Sequence, residues 1–208
     1  MKVLVIGATG PLGREILKQT KAKSFAVTAL ARKPGSLAGV DGVEVVEGDV
    51  FDIESLKRAM TGVDLVISAY GLKLTRKPTT RLSEGTKNML EAMKATRVPR
   101  LICVTGNGAG DSKGHGGFFF NRILEPLLLH EMYKDKTRQE DVIRKSDLDW
   151  TIVRPAVLTN GPLTGSYRAV TNLSDFNASK ISRNDVAGFI VNEIENRKFR
   201  EKSVTLSY

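Results

Sequence analysis

The first thirteen residues of this chain constrain its fold more than any other stretch. Residues 3–6 form a short, unbroken apolar run, which is typical of a central strand covered on both faces. Gly7, Gly10 and Gly13 follow directly, and a helical pattern begins at Leu12. The sequence therefore predicts a strand, a glycine turn and a helix N-terminus in immediate succession.

A strand, a glycine turn and a helix N-terminus together can form a phosphate cradle. Glycines permit the tight turn and close backbone approach, and the free amides of the helix end attract anions. Pro11 suits the first turn of a helix, where its missing N–H has no helical partner. A structural turn is the plain alternative, but this placement favours dinucleotide binding. The cofactor-binding residues predicted here are Gly7, Thr9, Gly10, Pro11, Leu12 and Gly13.

Composition narrows the class of protein. The 208 residues, 41% of them hydrophobic and 26% charged, are ordinary for one globular domain, with a small substrate-side portion expected at residues 155–182. No apolar run approaches the roughly 20 residues that span a bilayer, and we expect a cytoplasmic protein without a membrane partner. The single cysteine, Cys103, and only two histidines give no basis for a disulfide or a metal site.

The net charge of +9 has more than one explanation. A lysine-rich solvated surface and attraction of an anionic cofactor or substrate both account for it. Nucleic-acid binding requires basic residues clustered on one face, whereas here they are scattered along the chain. We therefore expect no nucleic-acid partner.

The end of the second predicted strand, residues 25–31, indicates which dinucleotide binds. An acidic residue here meets a free ribose 2′-OH, whereas an arginine suits a 2′-phosphate. This chain has Arg32 followed by Lys33, and we predict both as cofactor-binding residues. A charged loop residue is the plain alternative, but the pattern favours NADP(H) over NAD.

Further strands and helices alternate to the end of the chain. Strands are predicted at residues 43–46, 63–69, 100–105, 150–154 and 203–206, and helices at 12–23, 53–60, 80–96, 126–145 and 182–194. This alternation predicts an α/β fold with a doubly wound parallel sheet. In such sheets the carboxyl ends of the strands face the ligand crevice. Cofactor contacts are therefore predicted at Asp49, Val50, Ala69, Tyr70 and Gly71.

Residues 106–117 form the most unusual segment, because six of the twelve are glycine. A mobile lid over the substrate and a plain connector are both consistent with this composition. His115 within it is expected to be solvated. Residues 118–120 are three phenylalanines, which either stack on a planar substrate or pack into the core, and Pro126 is expected to open the next helix.

With these residues assembled, the chain resembles the atypical short-chain dehydrogenase/reductase superfamily. Within it the sequence is similar to the flavin reductase and biliverdin-IXβ reductase group and to NAD(P)H-binding relatives of the NmrA type. The resemblance covers nearly the whole chain and implies a Rossmann-type fold. Its motifs are residues 7–13, Arg32, residues 48–50, residues 162–165 with Tyr167, and residues 150–155.

The resemblance also implies catalytic positions, with departures. Many relatives use Tyr-x-x-x-Lys, in which lysine binds the nicotinamide ribose and tyrosine protonates the carbonyl. Lys136 matches the lysine, Met132 stands at the tyrosine position, and Tyr133 is one residue away. Tyr133 is therefore either a partly exposed helix residue or a displaced acid. Thr105 occupies the place of the family's serine, and it counts with Lys136 as a cofactor contact as well.

Two residues after the sixth predicted strand complete the implied nicotinamide site. Pro155 and Val157 border it, and Val157 stands where biliverdin-reducing members carry histidine, which argues against biliverdin. We expect an NADPH-dependent reductase of a flavin, quinone or similar planar acceptor, as a monomer or homodimer. A non-catalytic, redox-sensing regulator of the NmrA type is the alternative, and a sugar-nucleotide or ether reductase is a third.

Overall fold

The computed structural model describes all 208 residues, and it confirms the α/β fold. The strands are β1 Lys2–Ile6, β2 Ala26–Ala31, β3 Val43–Glu47, β4 Leu65–Ser68, β5 Arg100–Val104, β6 Asp149–Pro155, β7 Val157–Thr159, β8 Arg168–Val170, β9 Lys180–Ser182 and β10 Lys202–Ser207. The helices are α1 Pro11–Ala22, α2 Ile53–Ala59, α3 Arg81–Thr96, α4 Gly117–Phe119, α5 His130–Arg144 and α6 Arg183–Asn196, with a π-helix over Phe120–Leu129. None of these helices has the length and apolar character needed to cross a membrane.

The main sheet has eight strands in the order β3-β2-β1-β4-β5-β6-β10-β8. All neighbouring strands pair in parallel except β8, which is antiparallel to β10. Strands β7 and β9 form a separate two-stranded sheet. The strand order reverses between β1 and β4, and the crevice at such a reversal is the usual ligand site of doubly wound sheets.

The central strand β1 is buried on both faces, as its apolar run predicts. Val3 and Val5 pack into a core with α1 and α6, whereas Leu4 and Ile6 pack into a second core with α2 and α3. Each of these four side chains is at most 1% exposed. Helices therefore cover both sides of the sheet and leave its carboxyl edge open for the site.

Helix α6 begins where the sequence predicts a helix from residue 182. Ser182 is the N-cap, and its Oγ accepts a hydrogen bond from the Asp185 amide at 2.9 Å. The Asp185 carboxylate in turn accepts bonds from the amides of Thr164 and Gly165, each at 2.8 Å. The turn-rich connector at residues 161–165 is thereby tied to the helix that follows it.

The segment before α5 differs from its prediction. Pro126 lies inside the π-helix and does not open the next helix. Phe118 and Phe119 are 78% and 60% exposed, so of the two alternatives for residues 118–120, packing into the protein holds only for Phe120, which is buried. Proline lacks an amide N–H, and such disturbed helical bonding is compatible with a local π-helix.

The glycine-rich segment at residues 106–117 is folded against the sheet. Its Asn107 is 4% exposed and donates its amide to the Pro155 carbonyl oxygen at 3.0 Å. The Ser112 hydroxyl oxygen accepts the Gly108 amide at 2.8 Å. The His115 ring, expected to be solvated, is half-buried with Nδ1 3.0 Å from the Phe176 carbonyl oxygen. These bonds hold the segment beside the ends of β5 and β6.

Candidate active site

Two of the three glycines after β1 are required by packing alone. Gly7 has φ +81°, and a Cβ there would lie 2.5 Å from the backbone of Ala69. A Cβ on Gly13 would collide with the carbonyl oxygen of Gly7. These two positions therefore accept only glycine, whether or not a ligand is bound.

Gly10 is different, because the protein leaves space beside it. A Cβ there would meet only the Gly7 carbonyl oxygen, at 3.4 Å. Gly10 is also the N-cap of α1 and offers no side-chain cap, so the first amides of the helix lack intrahelical partners. A bare backbone beside free helix amides fits a pyrophosphate, which can approach closely and accept their hydrogen bonds.

This difference yields a prediction for Gly10→Ala. The variant is expected to keep its fold and to bind NADPH at least about tenfold more weakly, because the methyl group occupies the space of the phosphate. Thermal melting and titration calorimetry measure the two effects. Gly35→Ala is the matched control, since a Cβ at Gly35 meets nothing within 4 Å and Gly35 lies outside the groove. Equal binding by the two variants would show that Gly10 does not face the cofactor.

A groove of about 930 Å³ runs along the carboxyl edge of the sheet from this turn. Of the residues predicted to contact the cofactor, those lining it are Gly7, Thr9, Gly10, Pro11, Leu12, Gly13, Arg32, Asp49, Val50, Ala69, Tyr70, Gly71, Thr105 and Lys136. Lys33 does not line the groove, and Pro155 and Val157 line a neighbouring pocket. The fold thus brings together residues that are far apart in the chain.

One end of the groove carries positive charge. The Arg32 side chain is 76% exposed, and its Nε lies 3.9 Å from a carboxylate oxygen of Asp49. Sequence reasoning missed Arg81, the first residue of α3, whose guanidinium lies 4.5 Å from the centre of the Phe51 ring. Its position at a helix start after β4 is the signal that could have found it. The other lining residues that were not predicted as cofactor contacts are Ile6, Leu30, Ala31, Gly48, Leu72, Lys73, Val104, Gln139, Leu158 and Arg183.

The other end of the groove opens into a second cavity of about 330 Å³, here called the acceptor pocket. The two cavities share four lining residues, which are Thr105, Lys136, Leu158 and Arg183. The rest of the pocket wall is Gly106, Asn107, Gly116, Phe120, Leu124, Leu129, Tyr133, Pro155, Ala156, Val157, Ala178 and Ser179. A ligand in the groove therefore meets a ligand in the pocket beside Thr105 and Lys136.

Lys136 and Tyr133 meet at this junction. The Lys136 ammonium donates to the Thr105 carbonyl oxygen at 2.7 Å and lies 4.8 Å from the centre of the Tyr133 ring. A Cβ on Gly106 would lie 2.7 Å from Lys136 Nζ and 3.1 Å from the Tyr133 hydroxyl oxygen. Residues three or four positions apart in a helix lie on the same face. Tyr133 therefore lies on the same face of α5 as Lys136. Met132, at the expected tyrosine position, is buried.

The pKa values of this pair set its charge. Burial lowers the pKa of Lys136 to about 8, against the opposite effect of the Glu140 carboxylate. Burial also raises the pKa of Tyr133 to about 12. At neutral pH the junction therefore presents an ammonium group and a protonated phenol, and both are hydrogen-bond donors.

Thr105 links the junction to a buried network beneath it. Its hydroxyl donates to the fully buried Glu140 carboxylate at 2.7 Å, and its carbonyl oxygen receives Lys136. Glu140 also accepts from Nε of the buried Arg154 at 2.9 Å. A third bond joins Glu140 Oε2 to Nη2 of Arg154 at 2.5 Å. This buried ion pair supports Thr105, and through it the lysine, from beneath the site.

Comparison with known proteins identifies the family of this chain. Residues 7–197 match a family model described as NAD(P)H-binding. The chain is 26% identical to YwnB of Bacillus subtilis over 219 aligned residues, which cover 99% of this chain and 98% of YwnB.

Two solved structures share the fold. ChuY, an anaerobilin reductase from Escherichia coli O157:H7, superposes with a TM-score of 0.85 at 24% identity, covering 100% of this chain and 97% of ChuY. A short-chain dehydrogenase/reductase from Veillonella parvula in complex with NADP superposes with a TM-score of 0.83 at 18% identity, covering 100% and 94%. The family match spans both the glycine turn and the junction with the acceptor pocket. The chain therefore belongs to the NAD(P)H-binding family.

Proposed function

We propose that this protein is an NADPH-dependent reductase that delivers hydride to a flavin, a quinone or a similar planar conjugated acceptor. The observation that carries the proposal is the junction of two cavities at Thr105 and Lys136. With its pyrophosphate at Gly10 and its 2′-phosphate at Arg32, a dinucleotide in the groove directs its nicotinamide toward this junction. The bound dinucleotide supplies the hydride.

The pocket suits a compact flat acceptor. Its volume of about 330 Å³ is near the lower end of small-molecule sites, which span roughly 300–1,000 Å³. Half of its lining residues are hydrophobic, 8 of 16. ChuY acts on anaerobilin, but in this chain the pocket position expected to distinguish bilin reductases is Val157, which cannot exchange a proton.

The proton that accompanies hydride transfer comes from a residue of the protein. A quinone that gains a hydride also takes up one proton and leaves as a hydroquinone. The Tyr133 hydroxyl, kept protonated by burial, lies in the pocket wall and is the donor that we assign. The ammonium of Lys136 holds the ribose and favours negative charge developing beside it.

The direct test is NADPH consumption by the purified protein, with flavin mononucleotide or a water-soluble quinone as the acceptor. Rapid oxidation of NADPH that depends on the acceptor is expected. Tight NADPH binding with no oxidation by either acceptor would favour the non-catalytic regulator. That alternative depends on a missing catalytic tyrosine, and the position of Tyr133 beside Lys136 weakens its main argument.

A second prediction concerns cofactor choice at Arg32. Arg32→Ala is expected to weaken NADPH binding about 10- to 100-fold and NADH binding much less, because only NADPH carries a 2′-phosphate for the guanidinium. Dissociation constants for both dinucleotides measure this difference. Lys33→Ala is the matched control, since the neighbouring side chain lies outside the groove. If Arg32→Ala weakens the binding of both dinucleotides equally, Arg32 does not bind the 2′-phosphate.

A further inference from the structure

The helical wall of the acceptor pocket has a second apolar side. Phe120, Leu124 and Leu129 of this wall line the pocket. Other residues of the same stretch point to solvent and form what we call the outer face, which consists of Phe118, Phe119, Ile123 and Leu127, 78%, 60%, 39% and 66% exposed. The spacing of Phe119, Ile123 and Leu127 is four residues, which keeps them on one side of a helical segment.

This concentration of exposed apolar side chains is unusual for a water-facing surface. Single exposed apolar residues are normal, but clustered ones mark contacts with a protein or a membrane. The other large exposed apolar side chains are scattered through the chain. They are Met1, Phe51, Leu74, Val157 and Leu163. The outer face is therefore a candidate interaction surface, and it forms the back of the wall around the pocket.

The charges around the outer face are positive. Arg122 lies within the stretch, and the Asn121 amide donates to the Gly114 carbonyl oxygen at 2.6 Å, which brings Lys113 alongside. Both cations are exposed, and neither takes part in a salt bridge. The carboxylate of the stretch, Glu125, is only 13% exposed and lies 3.3 Å from His130.

We propose that the outer face docks on an anionic membrane surface and that the acceptor pocket behind it takes a lipid-soluble quinone. Phenylalanine and leucine side chains that enter the headgroup region beside lysine and arginine are typical of interfacial helices. The net charge of +9 adds attraction to anionic lipid and opposes pairing of this face with a second copy of the chain. This proposal departs from the expectation of no membrane partner, because that expectation rests on the lack of a spanning segment, which surface docking does not need.

The substrate class in this inference rests on the proposed reductase activity. NADPH gives up a hydride, the quinone ring gains that hydride and one proton, and the products are NADP⁺ and a hydroquinone. A quinone with a long apolar tail stays in the bilayer, so only a pocket held at the surface reaches its ring.

Vesicle binding tests the docking surface separately from catalysis. The wild-type chain is expected to co-sediment with vesicles of phosphatidylcholine and phosphatidylserine, and more weakly with phosphatidylcholine alone. The triple variant Phe118→Ser, Phe119→Ser, Leu127→Ser should bind the mixed vesicles about 100-fold more weakly. The matched control is Leu74→Ser with Leu163→Ser, two side chains 61% and 57% exposed elsewhere, and it should bind like wild type.

A pair of rate measurements tests the substrate class. With a long-tailed quinone embedded in the mixed vesicles, the triple variant should lose most of its NADPH oxidation, while with a water-soluble quinone it should match wild type. Equal rates of both proteins with the embedded quinone would overturn the inference, and so would a wild-type protein that does not bind the vesicles.

Two further outcomes have their own meaning. If light scattering shows a dimer for the wild-type protein and a monomer for the triple variant, the outer face binds a second copy of the chain instead. If neither protein reduces the water-soluble quinone, the proposed activity itself fails, whatever the vesicles show.

Discussion

Glu140→Ala is expected to destabilise the protein by about 3–5 kcal/mol, because it leaves the buried Arg154 guanidinium without its main partner. Arg154 is 1% exposed and Glu140 is fully buried, so neither water nor rearrangement of the surface replaces the lost contacts. The Thr105 hydroxyl also loses its acceptor. Urea unfolding of the two proteins measures the difference in the free energy of unfolding.

Asp111→Ala provides the control for this ion pair. The Asp111 carboxylate also contacts Arg154, but its side chain is 69% exposed. Exposed pairs contribute at most about 1 kcal/mol, so the loss should be several-fold smaller than for Glu140→Ala. If the free energy of unfolding falls equally in the two variants, the burial of Glu140 does not strengthen its contribution to stability.

Lys136→Met is expected to lower kcat/KM for NADPH about 100- to 1,000-fold, because it removes the ammonium at the junction of the two cavities. The fold should remain stable, since a buried charge is exchanged for an apolar chain of similar length. Lys134→Met is the control, as Lys134 is exposed and pairs only with Glu131 on the outside of α5. A Lys136→Met variant as active as Lys134→Met would exclude Lys136 from the site.

The pH profile gives the same residue an independent test. With a pKa of about 8, Lys136 loses its charge as the pH rises through that value, so the wild-type rate should fall above pH 8. The Met variant should lack this fall. The free energy of unfolding changes in the opposite direction to the rate, because above pH 8 Lys136 keeps its proton in the unfolded chain but has lost it in the folded protein. The folded state should therefore gain stability from this group as the pH rises from about 8 toward its ordinary pKa of 10.5.

The first strand, the glycine turn and the first helix are predictable because their signals are local. The apolar run of β1 and the spacing of Gly7 and Gly13 reflect burial and backbone collisions among close neighbours in the chain. Arg32 follows a strand end that any parallel sheet places at its ligand edge. The cofactor contacts predicted from this rule line the groove, apart from Lys33 and from Pro155 and Val157, which line the acceptor pocket instead.

The remaining features depend on contacts between distant segments. No local pattern shows that the Thr105 hydroxyl meets Glu140, because 35 residues separate them. The sequence also does not predict the π-helix over Phe120–Leu129, nor that Phe118 and Phe119 just before it are exposed to solvent. The sequence leaves Tyr133 as either a partly exposed helix residue or a displaced acid, because it departs from the four-residue spacing of the motif, although a helix also brings residues three apart together.

The strand order divides the candidate site into two parts that lie on opposite sides of the reversal. Arg32 follows β2 on one side of the reversal between β1 and β4, whereas Thr105 and Lys136 belong to segments on the other side. Substitutions that alter the preference for one dinucleotide therefore leave the wall of the acceptor pocket intact, and the reverse also holds. The dinucleotide end and the pocket end of the candidate site can therefore be altered by separate substitutions.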